Sequence, residues 1–413
     1  MDNFRALGLN EEIIKALQEA GFENPTTIQE KTIPLCLQGK DVIAESATGT
    51  GKTLAFGAGI IQTHSKEPGI SALILTPTRE LAEQILNSLN KFAKYNPIKI
   101  TSVYGGVSIE PQINNLKRAQ VVVGTPGRIL DHMERGTINL SKVKTLVLDE
   151  ADRMLDMGFI DSVRKILQAC PTDRQTLLFS ATIDTEIRRI SQENMRDPVK
   201  ISAGNRIDPT KMAQSYYDVE ENKKFSLLVH LLKSEPSGLC MVFCNTKRST
   251  EFVASNLQSA GVDAIAIHGG YTQNKRQQAL DAFHSNKVQV LVCTDVAARG
   301  IDVKDVSHVY NYELPGEEKQ YLHRIGRTAR AGGDGKAVNL LSSRDHDNFT
   351  RILRHLGVTI TKVQVPDFER IAVRVAPHHS DGGGRRNFSR PGSRPGARPG
   401  ARSGGFNRSR SRF

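Results

Sequence analysis

Eight residues near the start of the chain, Ser46-Ala47-Thr48-Gly49-Thr50-Gly51-Lys52-Thr53, combine small side chains with a lysine and a hydroxyl. Between a strand and a helix, the backbone N–H groups of such a loop converge on a phosphate. Lys52 then adds charge, and the Thr53 hydroxyl can ligate Mg²⁺. Ser46 stands where the strict phosphate-loop pattern has its first glycine, so by itself the run also reads as a Gly-rich turn. Asp149-Glu150-Ala151-Asp152 is the second chemical cluster. It directly follows the apolar run Leu146-Val147-Leu148, at the carboxyl end of an expected strand, where open parallel sheets bind ligands. Asp149 there can hold Mg²⁺, and Glu150 can orient or deprotonate an attacking water. An acidic helix start would explain one or two carboxylates, but not their place behind a strand, downstream of a lysine loop. The pair of clusters predicts hydrolysis of a nucleoside triphosphate.

Other candidates also sit just after apolar runs. Pro77-Thr78-Arg79 follows 72–75, Thr125-Pro126-Gly127-Arg128 follows 121–123, and Ser180-Ala181-Thr182 follows 177–179. Each alone is a plausible helix cap, since Ser and Thr are favoured there. A parallel sheet would bring them to one rim, where Arg79 and Arg128 suit a phosphodiester backbone. A second series, Asn245-Thr246, His268-Gly269, Thr294-Asp295 and Arg299-Gly300-Ile301-Asp302, lacks a lysine loop and paired acids of its own. His323-Arg324-Ile325-Gly326-Arg327-Thr328-Ala329-Arg330 comes further on. Arg327 and Arg330 share a face if helical, and can serve as arginine fingers to a triphosphate held elsewhere.

The elements that must position these groups show as short apolar runs alternating with helical periods. Leu81, Ile85 and Leu89 recur every fourth residue over 79–93, as on one helix face. Runs at 41–44, 72–75, 121–123, 146–148 and 177–179, and again at 239–243, 264–267, 288–292, 309–310 and 337–341, predict an α/β fold with two doubly wound parallel sheets. With 413 residues, 38% apolar and 24% charged, the chain suits two globular domains. We place a linker at 204–213 and the second domain at 214–376. No apolar run reaches membrane-spanning length, and Met1-Asp2-Asn3-Phe4-Arg5 does not read as a signal peptide. Five scattered cysteines read as reduced core residues of a cytosolic, cytoplasmic protein. The net charge of +12 is concentrated in 377–413, which holds nine arginines and one acid, Asp381. Its Arg-Pro-Gly repeats predict a disordered basic C-terminal tail suited to nucleic acid.

In this order the motifs make the chain resemble a DEAD-box ATP-dependent RNA helicase, of bacterial type and superfamily 2, over residues 4–341. The resemblance implies two tandem RecA-like domains. It makes residues 1–30 an adenine-recognition segment, with Phe22-Glu23-Asn24-Pro25-Thr26-Thr27-Ile28-Gln29 as its motif. Gln29 then reads the adenine edge, and Phe4 stacks on the base. From the residues alone, 25–38 is a helix with a Thr27…Glu30 capping box. The resemblance further gives 31–203 as the ATP-binding domain and Gly300 and Asp302 as nucleotide contacts. Asp152, Ser180, Thr182 and His323 become coupling residues. RNA contacts extend from Pro77, Thr78, Arg79, Thr125, Pro126, Gly127 and Arg128 to Gly105, Gly106, Asn245, His268, Gly269, Gln273, Arg276, Thr294 and Arg299. The implied partners are ATP, Mg²⁺ and RNA bound without base reading, with ribosomal precursor particles or RNA-decay machinery as larger assemblies. The implied activity is RNA-stimulated ATP hydrolysis coupled to closure of the two domains on RNA, which unwinds duplexes locally or remodels RNA–protein complexes. A DNA translocase shares the fold and fingers, and an RNA chaperone or annealing protein would use ATP only as a clamp.

Overall fold

The computed structural model describes residues 1–373, except 47–49, 65–66, 203–211, 236–237, 299–305 and 329–334. Among them the apolar runs form two seven-stranded sheets whose ladders are all parallel. The first contains β1 (Val42–Glu45), β2 (Ala72–Leu75), β3 (Ile100–Val103), β4 (Val121–Gly124), β5 (Thr145–Leu148), β6 (Gln175–Ser180) and β7 (Val199–Ser202). The second contains β8 (Ala213–Asp218), β9 (Leu239–Cys244), β10 (Ala264–Ile267), β11 (Val290–Thr294), β12 (Val306–Asn311), β13 (Lys336–Leu341) and β14 (Thr361–Lys362). Their orders are β3-β4-β2-β5-β6-β1-β7 and β10-β11-β9-β12-β13-β8-β14. The second order repeats the first strand for strand, so β8 is the counterpart of β1. The chain is one architecture built twice.

Period-two alternation divides each sheet between two cores. Val42, Ala44, Ile74, Val123 and Phe179 enter one cluster, while Ile43, Leu73, Leu75, Val122 and Leu178 enter the cluster on the other face. In the second sheet Cys240, Val242 and Cys244 face one way and Met241, Phe243 and Cys293 the other. All five cysteines are buried and none forms a disulfide. Helix Arg79–Phe92 lays Leu81, Ile85 and Leu89 against the first sheet, as its spacing requires.

Four strands escaped the sequence reading. β3, β7 and β14 lie at sheet edges, with half-buried patterns such as Ile-Thr-Ser-Val and Val-Lys-Ile-Ser. β8 is internal yet reads Ala-Gln-Ser-Tyr-Tyr-Asp, too polar for a buried-strand signal. Ala213, expected as the last linker residue, already opens β8. The remaining linker positions 204–211 and the tail 377–413 lie outside the described residues.

Candidate functional site

The carboxyl end of β1 runs through Ser46 into the loop that ends at helix Lys52–Thr63. Gly51 caps that helix in the left-handed region, at φ 91°. A Cβ there would come within 2.3 Å of Gln29 Nε2, so only glycine fits between the loop and the helix Thr27–Leu37. Gln29 Nε2 donates to Gly51 O at 3.1 Å, and Thr26 Oγ1 donates to Thr50 O at 2.8 Å. Both residues therefore brace the loop from outside. The cap itself lies one residue earlier than expected. Thr26, not Thr27, is the N-cap, and its N–H donates to Gln29 Oε1 at 2.9 Å. Phe4 corrects another expectation. Its ring is fully buried in the core and has no face left to stack on a base. Phe22 is half-buried and meets Phe92 edge-on at 5.7 Å. Ala47, Thr48 and Gly49 lie outside the described residues.

Lys52 is buried, donating to Ser46 O at 3.2 Å and lying 3.8 Å from Asp149 Oδ1. Ser46 and Thr50 share a hydroxyl hydrogen bond of 2.5 Å, and Thr53 begins the second position of the helix. Burial pushes the Asp149 carboxyl up to about 6, against the pull of Lys52 and with Glu150 adding to the rise. The Asp149 carboxylate offers oxygen ligands of the kind a hard cation takes. Glu150 is buried next to it and pairs with Arg153 at 2.6 Å. Asp152 N donates to Ser180 Oγ at 3.2 Å, Ser180 Oγ donates to Thr182 O at 2.7 Å, and Thr182 Oγ1 reaches Asp152 Oδ2 at 3.5 Å. These three expected coupling residues, just beyond β5 and at and after the end of β6, thus form one closed circuit.

Along the same rim, Thr78 caps helix Arg79–Phe92 and accepts from Leu81 N at 3.3 Å. Thr125 is the N-cap of helix Pro126–Glu134. Arg79 lies over the Tyr104 ring at 4.3 Å, near Gly106, and Arg128 donates to Val107 O at 3.1 Å. Pro77 is buried behind Arg79, while Gly105 and Gly127 are exposed. Arg79 Nε, Arg128 Nη1 and Arg276 Nε are buried without hydrogen-bond partners. Buried donors of that kind call for an acceptor supplied from outside.

In the second domain Asn245 and His268 follow β9 and β10, and Thr294 ends β11. His268 Nδ1 accepts from Gly270 N at 3.0 Å, which leaves Nε2 to donate to Glu251 at 2.8 Å, and Gly269 beside it is exposed. Gln273 and Arg276, on helix Gln273–His284, reach across to the first domain: Glu80 Oε1 accepts from both, at 3.3 and 3.0 Å. Lys319 approaches Asp184 at 3.8 Å, joining the helix that carries His323 to the loop after Thr182. Arg327 is buried and shares a small cavity with Phe243, Asp295, Ala298, Gln320, His323 and Arg324. Arg299, Gly300, Asp302 and Arg330 lie outside the described residues.

Three residues here were missed in the sequence. Neither Glu80 nor Arg153 was singled out in the sequence. Arg324, quoted only as part of a run, is a buried hub. It makes paired bonds of 2.6 Å to Asp295 and others to Asn245 Oδ1, Asn311 Oδ1 and Glu313 O. It ties together the loops after β9, β11 and β12.

Comparison with known proteins agrees with this geometry. A model of the DEAD/DEAH box helicase family matches residues 26–190, and one of the helicase conserved C-terminal domain matches 223–332. The DEAD-box ATP-dependent RNA helicase CshA of Geobacillus kaustophilus is 44% identical over 373 residues, covering 89% of this chain and 80% of its own length. A probable ATP-dependent RNA helicase of Methanocaldococcus jannaschii is 46% identical, with coverages of 88% and 98%. The chain belongs to the DEAD/DEAH box helicase family. Among solved structures, S. cerevisiae Dbp5 bound to RNA and ADP BeF3 aligns with a TM-score of 0.80 at 32% identity, covering 89% of this chain and 97% of that one. A DEAD box protein from Methanococcus jannaschii is 45% identical but aligns at 0.55, with coverages of 87% and 99%.

Proposed function

We propose that this protein is an ATP-dependent RNA helicase which locally separates RNA duplexes or remodels RNA–protein complexes. The observation that carries the reading is the set of three orphaned buried arginine nitrogens, on Arg79, Arg128 and Arg276, along the rims of two sheets bridged by Glu80. Guanidinium donors spread over both domains suit a sugar–phosphate backbone and carry no base information. RNA laid across them makes contacts that exist in full only when the domains are together, so it biases them toward closure.

In this reading 31–203 holds ATP, 1–30 flanks its base and 214–376 completes the site. Lys52 and the backbone of 46–53 receive the phosphates, and Gln29 keeps that loop in shape. Asp149 and Thr53 would hold Mg²⁺, which when bound neutralises charge on the phosphate oxygens. Glu150 orients the attacking water and takes its proton. Arg327, with Arg330, supplies positive charge from the second domain. The circuit Asp152–Ser180–Thr182 links the acids to the loop leading to Asp184, which faces Lys319 of the finger helix. Hydrolysis removes the γ-phosphate from between the domains and the pair reopens. Among the described residues no helix is long and apolar enough to cross a membrane, and we place the enzyme in the cytoplasm.

The test is the ATPase rate of the full chain without nucleic acid, with single-stranded RNA, and with DNA of equal length. Strong stimulation by RNA alone is expected. Equal stimulation by DNA favours a translocase. Stimulated hydrolysis with strand annealing but no strand separation favours a chaperone that uses ATP as a clamp.

A further inference from the structure

Glu150 occupies a backbone conformation that its side chain disfavours. At φ 53° and ψ 50° it lies in the left-handed region, one of three non-glycine residues with positive φ among those described. Such a residue is strained and persists only where its surroundings over-determine it. The restraints can be followed atom by atom. Its N–H donates to Asp149 Oδ1 at 3.0 Å. Its carbonyl accepts from Arg153 N at 3.0 Å and Met154 N at 3.1 Å. Arg153 Nη1 donates to its Oε2 at 2.6 Å. Arg153 therefore grips Glu150 at both ends, by backbone and by guanidinium.

Among the described residues, Glu150 is the acid that Arg153 pairs with. Arg153 stands within the short helix Ala151–Asp156. It is 3% exposed, and burying a guanidinium costs several kcal/mol unless it is well paired. Its charge is thus placed against solvation, where it meets the Glu150 carboxylate.

We propose that Arg153 is a positioning residue for ATP hydrolysis: it fixes the direction of the Glu150 carboxylate in the cleft. The inference rests on Glu150 being the residue that activates water. Arg153 touches neither nucleotide nor metal in this scheme. Its loss should leave binding intact and misdirect the carboxylate, a displacement that can cost about 10- to 100-fold in rate.

The experiment measures RNA-stimulated ATPase in the full chain for R153M, R153K, E150Q and the double variant E150Q/R153M. R153M should lower kcat about 10- to 100-fold and leave KM for ATP within about twofold. R153K keeps the charge without the planar fork and should recover part of the loss. Because Arg153 acts through Glu150, the double variant should be no slower than E150Q, a non-additive result. If R153M does not fold, R153K carries the test with the same split between kcat and KM. Wild-type kcat in both Arg153 variants beside a slow E150Q overturns the proposal alone. So does a double variant slower than E150Q by the full R153M factor. A wild-type rate in E150Q instead removes the base assignment, and this inference with it.

Discussion

Glu80 of the first domain and Arg276 of the second form an ion pair of 3.0 Å whose side chains are 4% and 18% exposed. The pair spans the two sheets next to the orphaned Arg276 Nε and Arg79 Nε. Removing one partner of a buried pair is more costly than the pair is worth, because the other charge remains desolvated. R276A should therefore raise the RNA concentration for half-maximal ATPase about tenfold or more, a change of about 1.4 kcal/mol per tenfold. E80Q should act in the same direction through the same contact. RNA titration of the ATPase reads both, and unchanged half-saturation in the two variants would separate this ion pair from closure.

Glu150 makes the sharpest prediction about chemistry. E150Q keeps the shape of the side chain and removes its charge and basicity. Hydrolysis should drop by about two to four orders of magnitude, the usual contribution of a general base. ATP and RNA binding should persist, since neither depends on proton transfer. Equilibrium binding of a fluorescent ATP analogue alongside single-turnover hydrolysis distinguishes the two effects.

The repeated topology makes a prediction in the second domain. Lys224 opens the helix after β8 as Lys52 opens the helix after β1. Where Lys52 stands ready for a phosphate, Lys224 is met by Asp345 at 2.7 Å, and Ser342 N and Oγ donate to the same carboxylate oxygen at 2.9 Å. A carboxylate thus takes the charge that a phosphate would take. Burial by itself would raise the Asp345 carboxyl, but Lys224 and Ser342 hold it below its ordinary range. A depressed folded-state value means stability present above the unfolded value of about 3.9 and lost as pH falls through the folded one. D345N should cost about 3 kcal/mol at neutral pH, the lower end for breaking a buried ion pair. It should also flatten the loss of stability below about pH 4. Denaturant midpoints across a pH series measure both.

The sheets and the phosphate loop were legible because buried parallel strands leave dense apolar runs, and because the residues after them are chemically unusual. Val121–Gly124 and Thr145–Leu148 are buried throughout, and Thr125 and Asp149 follow at once. β8 was hidden because its side chains are largely polar, and one of them is used inside the fold: Gln214 Oε1 accepts from the Tyr321 hydroxyl. Phe4 was misplaced because an isolated aromatic carries no signal of which way it faces. Glu80, Arg153 and Arg324 were overlooked for a shared reason. Their partners lie 196, 3 and 29 positions away (Arg276, Glu150 and Asp295), and a charged residue in a helix looks solvated until the fold supplies its partner.

The last prediction concerns residues 377–413, which lie outside the described residues but hold nine arginines, one acid, and Phe388, Phe406 and Phe413. Arginines on such a segment can neutralise phosphates, and sparse aromatics can stack on bases. Each phosphate neutralised on a single strand contributes about −0.7 to the slope of log K against log salt. If roughly half of the arginines engage, removing the segment should flatten that slope by about three. The ATPase rate at saturating RNA should barely change, because every group assigned to chemistry precedes residue 331. The segment would then raise the local RNA concentration without choosing sequence. Fluorescence anisotropy of the full chain and of 1–376 across a salt series, with ATPase assays on both, decides the point. Equal slopes would show that the segment makes no phosphate contacts, and a collapsed rate at saturating RNA would show that it takes part in turnover itself.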